Sequence, residues 1–453
     1  MREKGTKPVL KGRPMESILV IHPEGNVANN PNLLSLVLLL EKFYRIYIIH
    51  ERTNNEEIIS DKIHLYYIEK LSFNALFKNH KKYVDKFLHN VYFSLIIGVD
   101  QGIKFANFIA NKKNTPLALI SYEIFFSNEW DPLLKQQEID ACKNIIFAIC
   151  QDSMRSHLLS RENNIPIEKI INIPNSEPYS VPYKRSTYLY EKLKIPSNKK
   201  IALYIGSISQ WTMTGMLIDS TSLWPDEWVL VLHPRYGIDS TVTPFLKKIN
   251  ENSKVYLSHE PTIYTYELEK IICSADLGFA LYDIDFSLPN TGKNLLFVGL
   301  SSGKFSAFMK YNIPVVVNNN TNIADIVSQY NLGYVVSNIE DIHLILPHND
   351  TSLLRKNCMS FFKKYLDFGL YENIILSVIE KIIKKEDVNK IIKMSNCQID
   401  IKNISTVRME IIYDKLRDIM NSSIVHKKDL SKNRLKRILK IIFHRIKNFY
   451  CFL

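Results

Sequence analysis

Gly299-Leu300-Ser301-Ser302-Gly303-Lys304-Phe305-Ser306-Ala307-Phe308-Met309-Lys310-Tyr311-Asn312-Ile313-Pro314-Val315-Val316-Val317 opens with small residues, passes through about two helical turns and ends in a β-branched strand. Backbone N–H groups at a helix start have no intrahelical acceptor, so beside small side chains they form a seat for anionic oxygens. Lys304 adds a cation at the same end, which the helix dipole alone disfavours and a bound diphosphate would favour. The plainer reading, that Ser301 or Ser302 caps the helix and Lys304 is solvated, fits the run alone equally well.

Outward from this run, short apolar segments alternate with amphipathic ones. Ser17–His22, Arg45–His50, Leu95–Val99, Leu117–Ser121, Ile145–Cys150 and 170–174 read as strands, with helices between them. Residues 174–200 turn polar and carry Pro174, Pro182 and Pro196, the signature of a linker. The alternation then restarts with Lys200–Gly206, 228–233, 254–258, 277–281, 314–318 and Gly333–Val336. Repeated strand–helix–strand units build parallel sheets covered on both faces. The expected fold is α/β: two doubly wound Rossmann-like domains facing across a cleft, followed by a helical basic extension. The expected boundaries are 1–15 for a basic tail, 16–178 for the first domain and 179–199 for the linker. Residues 200–352 form the second domain, 353–385 a helix crossing back, and 386–453 the extension.

Composition agrees with this and excludes other classes. The chain has 453 residues, 46% hydrophobic and 23% charged, which suits a soluble globular protein of two or three domains. Tandem repeats and low-complexity tracts are absent. Cys142, Cys150, Cys273, Cys358, Cys397 and Cys451 form no CxxC pair and read as reduced, mostly buried thiols. No apolar run approaches the ~20 residues that span a bilayer, and no signal-peptide core follows the basic start. The expected location is the cytoplasm.

The 299–317 run resembles the segment of GT-B glycosyltransferases, group-4 type, that reads S-x-x-K-L-x-E-Y-L-x-x-G-x-P-V-I. Its neighbours agree in order. Ile171-Asn172-Ile173-Pro174-Asn175 is similar to the motif closing that family's first domain, and Leu203-Tyr204-Ile205-Gly206-Ser207 to the first strand and glycine turn of its second. Leu268–Leu281 resembles the family's L-x6-A-D segment, and Met359–Ile383 is placed like its terminal crossover helix. The resemblance covers about residues 16–385. It implies that the second domain grips a nucleoside-diphosphate sugar. Gly206 and Ser207 would lie under the diphosphate, Ser301, Ser302, Gly303 and Lys304 on its oxygens or the ribose, and Glu260 to Tyr264 near the base. His233 and Arg235 are further donor-side candidates. Two departures stand out. The family's glutamate pair, eight residues apart, is replaced by Gly299 and Ala307, and its basic pair after the first glycine is missing from 210–216. Lys293, Lys304 or Arg235 could supply that charge.

First-domain loops at strand ends should face the cleft. They carry His22, Glu24, Gly25 and Asn26, then Asp100, then Tyr122 and Glu123. Glu123 is the preferred acceptor-side carboxylate, hydrogen-bonding an acceptor hydroxyl or acting as general base; a structural loop glutamate fits as well. Asp283-Ile284-Asp285 reads as a solvated turn, and no spaced His/Cys set points to zinc. No metal and no cofactor are expected.

The formal net charge is +12, much of it beyond residue 380. In 432–453, Lys432, Arg434, Lys436, Arg437, Lys440, Arg445 and Lys447 flank an oily helical face. Such a segment suits the inner face of an anionic plasma membrane, each cation contributing roughly 1 kcal/mol; docking on its own protein is nearly as natural. Nucleic acid is not expected as a partner. Three functional readings stay open. The first is transfer from a nucleotide sugar to a glycan or lipid-linked acceptor in surface polysaccharide synthesis. The second is a catalytically degenerate partner of an active transferase, and the third a sugar-nucleotide epimerase.

Overall fold

Continuous runs of Val, Ile and Leu are buried on both faces only in parallel sheets covered by helices, and both sheets of this chain are of that kind. The computed structural model describes residues 15–23, 27, 30–51, 60, 62–68, 87–180, 184–234, 237–238, 240–258, 265–285, 290–319, 321–346 and 351–398. The first sheet has seven strands: β1 (Ser17–His22), β2 (Arg45–Glu51), β3 (Ile63–Ile68), β4 (Leu95–Val99), β5 (Leu117–Ile120), β6 (Ile145–Cys150) and β7 (Ile170–Asn172). Their order is β3-β2-β1-β4-β5-β6-β7. The second has six: β8 (Lys200–Gly206), β9 (Trp228–Pro234), β10 (Val255–Leu257), β11 (Leu277–Phe279), β12 (Val315–Asn318) and β13 (Gly333–Val336), in the order β10-β9-β8-β11-β12-β13. The strand order reverses between β1 and β4 in one sheet and between β8 and β11 in the other. Two Rossmann-like domains result.

Polar side chains just ahead of the helices that line these sheets start them. Asn30 accepts from Leu33 N–H at 3.1 Å, Asp152 from Arg155 N–H at 2.8 Å and Ser302 from Phe305 N–H at 3.2 Å, each capping an orphan donor. At Gly278 in β11 a Cβ would stand 2.5 Å from the Phe308 ring, so glycine lets the helix Gly303–Lys310 lie directly on the sheet.

The stretch expected as one crossing helix is broken. Helix Ser352–Phe361 runs into a π-helical turn, Phe362–Leu366, and a short 3-10 turn precedes helix Glu372–Ile383. At the break the returning chain pairs with the outgoing one: Asp367 accepts from Tyr179 N–H at 2.9 Å, and Phe368 N–H donates to Glu177 at 3.0 Å. Phe368, Tyr371, Ile375, Val378, Ile379 and Ile382 then join Ile18, Val20, Leu36 and Ile48 in the first lobe's buried core. Strand β3 and the helix Tyr188–Leu193 inside the expected linker also go beyond the sequence reading. Strand β3 sits at the sheet edge, where pairing with β2 rather than an apolar run supplies its stability.

Candidate active site

In open α/β sheets ligands bind beyond the carboxyl ends of the strands, where the order reverses. A cavity of about 590 Å³ lies at such ends, between the two lobes. The first lobe contributes Asn30, Pro31, Tyr122 and Glu123, and the connecting segment Asn175 and Glu177. The second contributes Gly206 and Ser207 after β8, His233 at the end of β9, Tyr282 after β11, and the turn Ser301–Lys304.

Lys304 dominates the second lobe's wall of the cavity. Its ammonium donates to the Tyr204 hydroxyl at 2.5 Å and stands 4.4 Å from the Tyr204 ring centre, 4.8 Å from Tyr282 and 5.6 Å from Trp211. Loss of hydration in this aromatic enclosure brings its pKa down to about 7. Among the described residues it has no acidic partner. The Tyr204 hydroxyl donates a hydrogen bond to Ser207 C=O at 2.9 Å, and burial holds the phenol protonated. Gly206, at φ +106°, lets the chain turn here; a Cβ would touch the Lys304 stem at 3.7 Å. Ser302 is buried, its hydroxyl engaged with Phe305 N–H and, at 2.6 Å, with the Tyr282 hydroxyl. Ser301 hydroxyl donates to Val298 C=O at 2.6 Å. The two serines thus shape the turn with their side chains, while Gly303 between them and Lys304 is exposed. His233 accepts or donates at 3.0 Å to Ser258, and burial lowers its pKa to about 4, so it faces the cleft as a neutral imidazole. Arg235, Glu260 and Tyr264 lie outside the described residues, as do Glu24, Gly25, Asn26 and 432–453.

On the other wall, Asp100 does not line the cavity. Its carboxylate accepts from Tyr122 N–H at 2.6 Å and Glu123 N–H at 3.0 Å, which holds the Glu123 loop in place. His22 is buried at the end of β1 and also off the cavity wall. Tyr122 donates to Asn32 at 2.8 Å. Glu123 lines the cleft with an exposed side chain; crowding by the two lobes removes part of its hydration and raises its pKa, and the charge of Arg155 partly opposes this. The charge of Glu123 in turn helps raise the Tyr282 phenol to about 12, chiefly a burial effect, so the carboxylate, phenol and Lys304 share one enclosure.

A polar seam holds the lobes together beside the cavity. Asn294 donates to Ile124 C=O at 2.6 Å and accepts its N–H at 3.0 Å. Asn175 N–H donates to Leu300 C=O at 2.9 Å. Asp152 accepts from Leu300 N–H at 3.2 Å, and a Cβ on Gly299 would stand 2.6 Å from the same carboxylate oxygen. Gly299 is also at φ +38°. A glutamate at 299 would strain the backbone and displace the Asp152 carboxylate. Lys293 points into the seam, donating to Asn128 and lying 4.9 Å over Phe126, instead of supplying cleft charge. The Asp283-Ile284-Asp285 turn frames the rim through Asp283 N–H to Trp211 C=O at 2.7 Å. Among the described residues no His, Cys, Asp and Glu side chains group as a metal site, and no helix is long and apolar enough to cross a membrane.

Solved structures with this arrangement include Anabaena HepE in complex with UDP-glucose, 13% identical, with 81% of this chain and 99% of that one covered at a TM-score of 0.62. Sucrose-phosphate synthase from Thermosynechococcus elongatus is also 13% identical, over 82% and 100%, with a TM-score of 0.63. This is the GT-B fold. A putative UDP-N-acetylglucosamine 2-epimerase from Listeria monocytogenes, 13% identical over 83% and 99% with a TM-score of 0.56, shares it, so the GT-B architecture alone does not choose the reaction. Residues 299–364 match the family model of the glucosyltransferase 3-like C-terminal domain, starting at the Gly299 turn itself. No curated protein sequence matches the chain. Within the GT-B cleft, sequence reasoning missed Trp211, Tyr282, Asn294, Asp152 and Arg155. Trp211 and Tyr282 follow strand ends, a signal that could have found them; the seam residues carry none.

Proposed function

We propose that the protein is a glycosyltransferase moving a sugar from a nucleoside-diphosphate sugar to a glycan or lipid-linked acceptor in surface polysaccharide synthesis. One observation carries this reading: an interlobe cavity joins the Gly303–Lys304 turn, whose cation has no acidic partner among the described residues, to the Glu123 carboxylate on the facing wall. The diphosphate lies on the Gly303 and Lys304 amides with Lys304 ammonium beside it. The acceptor oxygen bonds to the anomeric carbon as the bond to the diphosphate breaks. Its proton passes to Glu123, or to the departing phosphate oxygen in a retaining route. The helix start and Lys304 stabilise the charge on the leaving group as it develops. In this reading the sugar nucleotide is the only co-substrate, and no metal or cofactor is needed. The protein works in the cytoplasm, with 432–453 resting on an anionic membrane. UDP-glucose is the first donor to test, by analogy with HepE. Calorimetry and product release with a panel of UDP-, GDP- and CMP-sugars test the proposal; binding of none of them would sink it. Gly299 and Ala307 favour a second reading, a degenerate partner of an active transferase, which requires no turnover with any donor.

A further inference from the structure

Arg155, on the first turn of helix Ser153–Asn163, is 1% exposed and is among the largest fully buried side chains of the described chain. A buried guanidinium costs stability unless its donors and charge are used. Its donors are used by neutral groups from both lobes. Nε donates to Gln151 at 2.9 Å, one Nη to Phe297 C=O at 3.2 Å, and the other to Tyr122 C=O at 2.7 Å and Asn294 Oδ1 at 3.3 Å. Gln151 in turn donates to Ser121 C=O at 2.6 Å. Arg155 therefore grips the backbone on the N-terminal side of Glu123 and, with the same planar fork, the segment 294–297 that leads into the Lys304 turn. No described carboxylate forms an ion pair with it; its charge acts at longer range on Glu123 and Asp152.

We propose that Arg155 is a positioning residue that sets the Glu123 carboxylate against the Lys304 turn, so that one side chain registers the acceptor and donor halves of the site. This rests on the transferase reading above. Three other groups face Glu123 or its loop: the Tyr282 phenol from the second lobe, the Asp100 carboxylate through the Glu123 N–H, and the Tyr122 hydroxyl beside it.

The test uses the full chain with Arg155→Lys, which keeps the charge and loses the fork, and Arg155→Gln, which loses both. Displacement of Glu123 by about 1 Å should lower kcat on the order of 100-fold in both, with donor KM unchanged. In Arg155→Gln the Glu123 carboxyl, followed by carbon NMR and assigned with Glu123→Gln, should also titrate at higher pH than in the wild type. Wild-type kcat in folded Arg155→Lys, or an unmoved Glu123 titration in folded Arg155→Gln, overturns the proposal. If Arg155→Gln does not fold, the kcat and KM of Arg155→Lys decide. A wild-type protein that turns over no donor refutes the transferase reading, while the titration still judges Arg155.

Discussion

Asp152 and Leu300 are joined across the two lobes by a 3.2 Å hydrogen bond whose acceptor oxygen fills the space that a side chain at Gly299 would need. The position at which group-4 enzymes carry a glutamate is thus spent on lobe-to-lobe contact.

Gly299→Ala should destabilise the protein by about 1–3 kcal/mol through strained φ and the clash with Asp152. Urea unfolding checks this. In an Asp152→Ala background the loss should shrink, because the opposing oxygen is gone; strictly additive losses would show that the two residues do not compete.

Lys304→Met should abolish turnover, by on the order of 100-fold or more, while leaving the fold intact, since a thioether suits the Tyr204, Tyr282 and Trp211 rings. Wild-type kcat would remove Lys304 from the reaction.

Free Lys304 loses its proton as pH rises through about 7. A diphosphate beside it favours the charged form, so donor binding should take up protons at and above neutral pH and weaken as pH increases. Calorimetry in two buffers of different ionisation enthalpy measures the uptake. None at pH 7.5 would place the phosphates elsewhere.

Loss of hydration in the cleft raises the Glu123 pKa. If the ionised form is required, activity falls as pH drops through that raised value, at higher pH than for a fully hydrated glutamate. Glu123→Gln should flatten this acid limb. An unchanged limb in a reduced but measurable kcat profile assigns it to another group.

Burial pushes the thiols of Cys142, Cys150 and Cys358 up to about 12. Iodoacetamide at pH 8 should leave all three unlabelled in the native protein and label them in guanidinium, as peptide mass spectrometry would show.

Every strand but β3 was legible because each is a compact apolar run; β1, β4, β6, β8 and β13 have the bounds that the sequence suggests. The 299–317 run was legible because small residues, a helix start and a Pro-led strand follow one another. The seam was not. Arg155 meets Tyr122, Asn294 and Phe297, and these lie 33, 139 and 142 residues away in the chain. A single sequence carries no local signature for such pairs. Asp100 illustrates the same limit: its place at a strand end suggested an acceptor contact, whereas its carboxylate is consumed by the Tyr122 and Glu123 amides.

The return of helix Glu372–Ile383 to the first lobe fixes an order of events on the ribosome. Chains emerging from it ordinarily complete their N-terminal domain first. Here the interior of that lobe lacks Tyr371, Ile375, Val378 and Ile382 until after the whole second sheet has been synthesised. The lobe that begins first is finished last, and a gene fragment ending at residue 178 would encode a core open along the face that the returning helix covers.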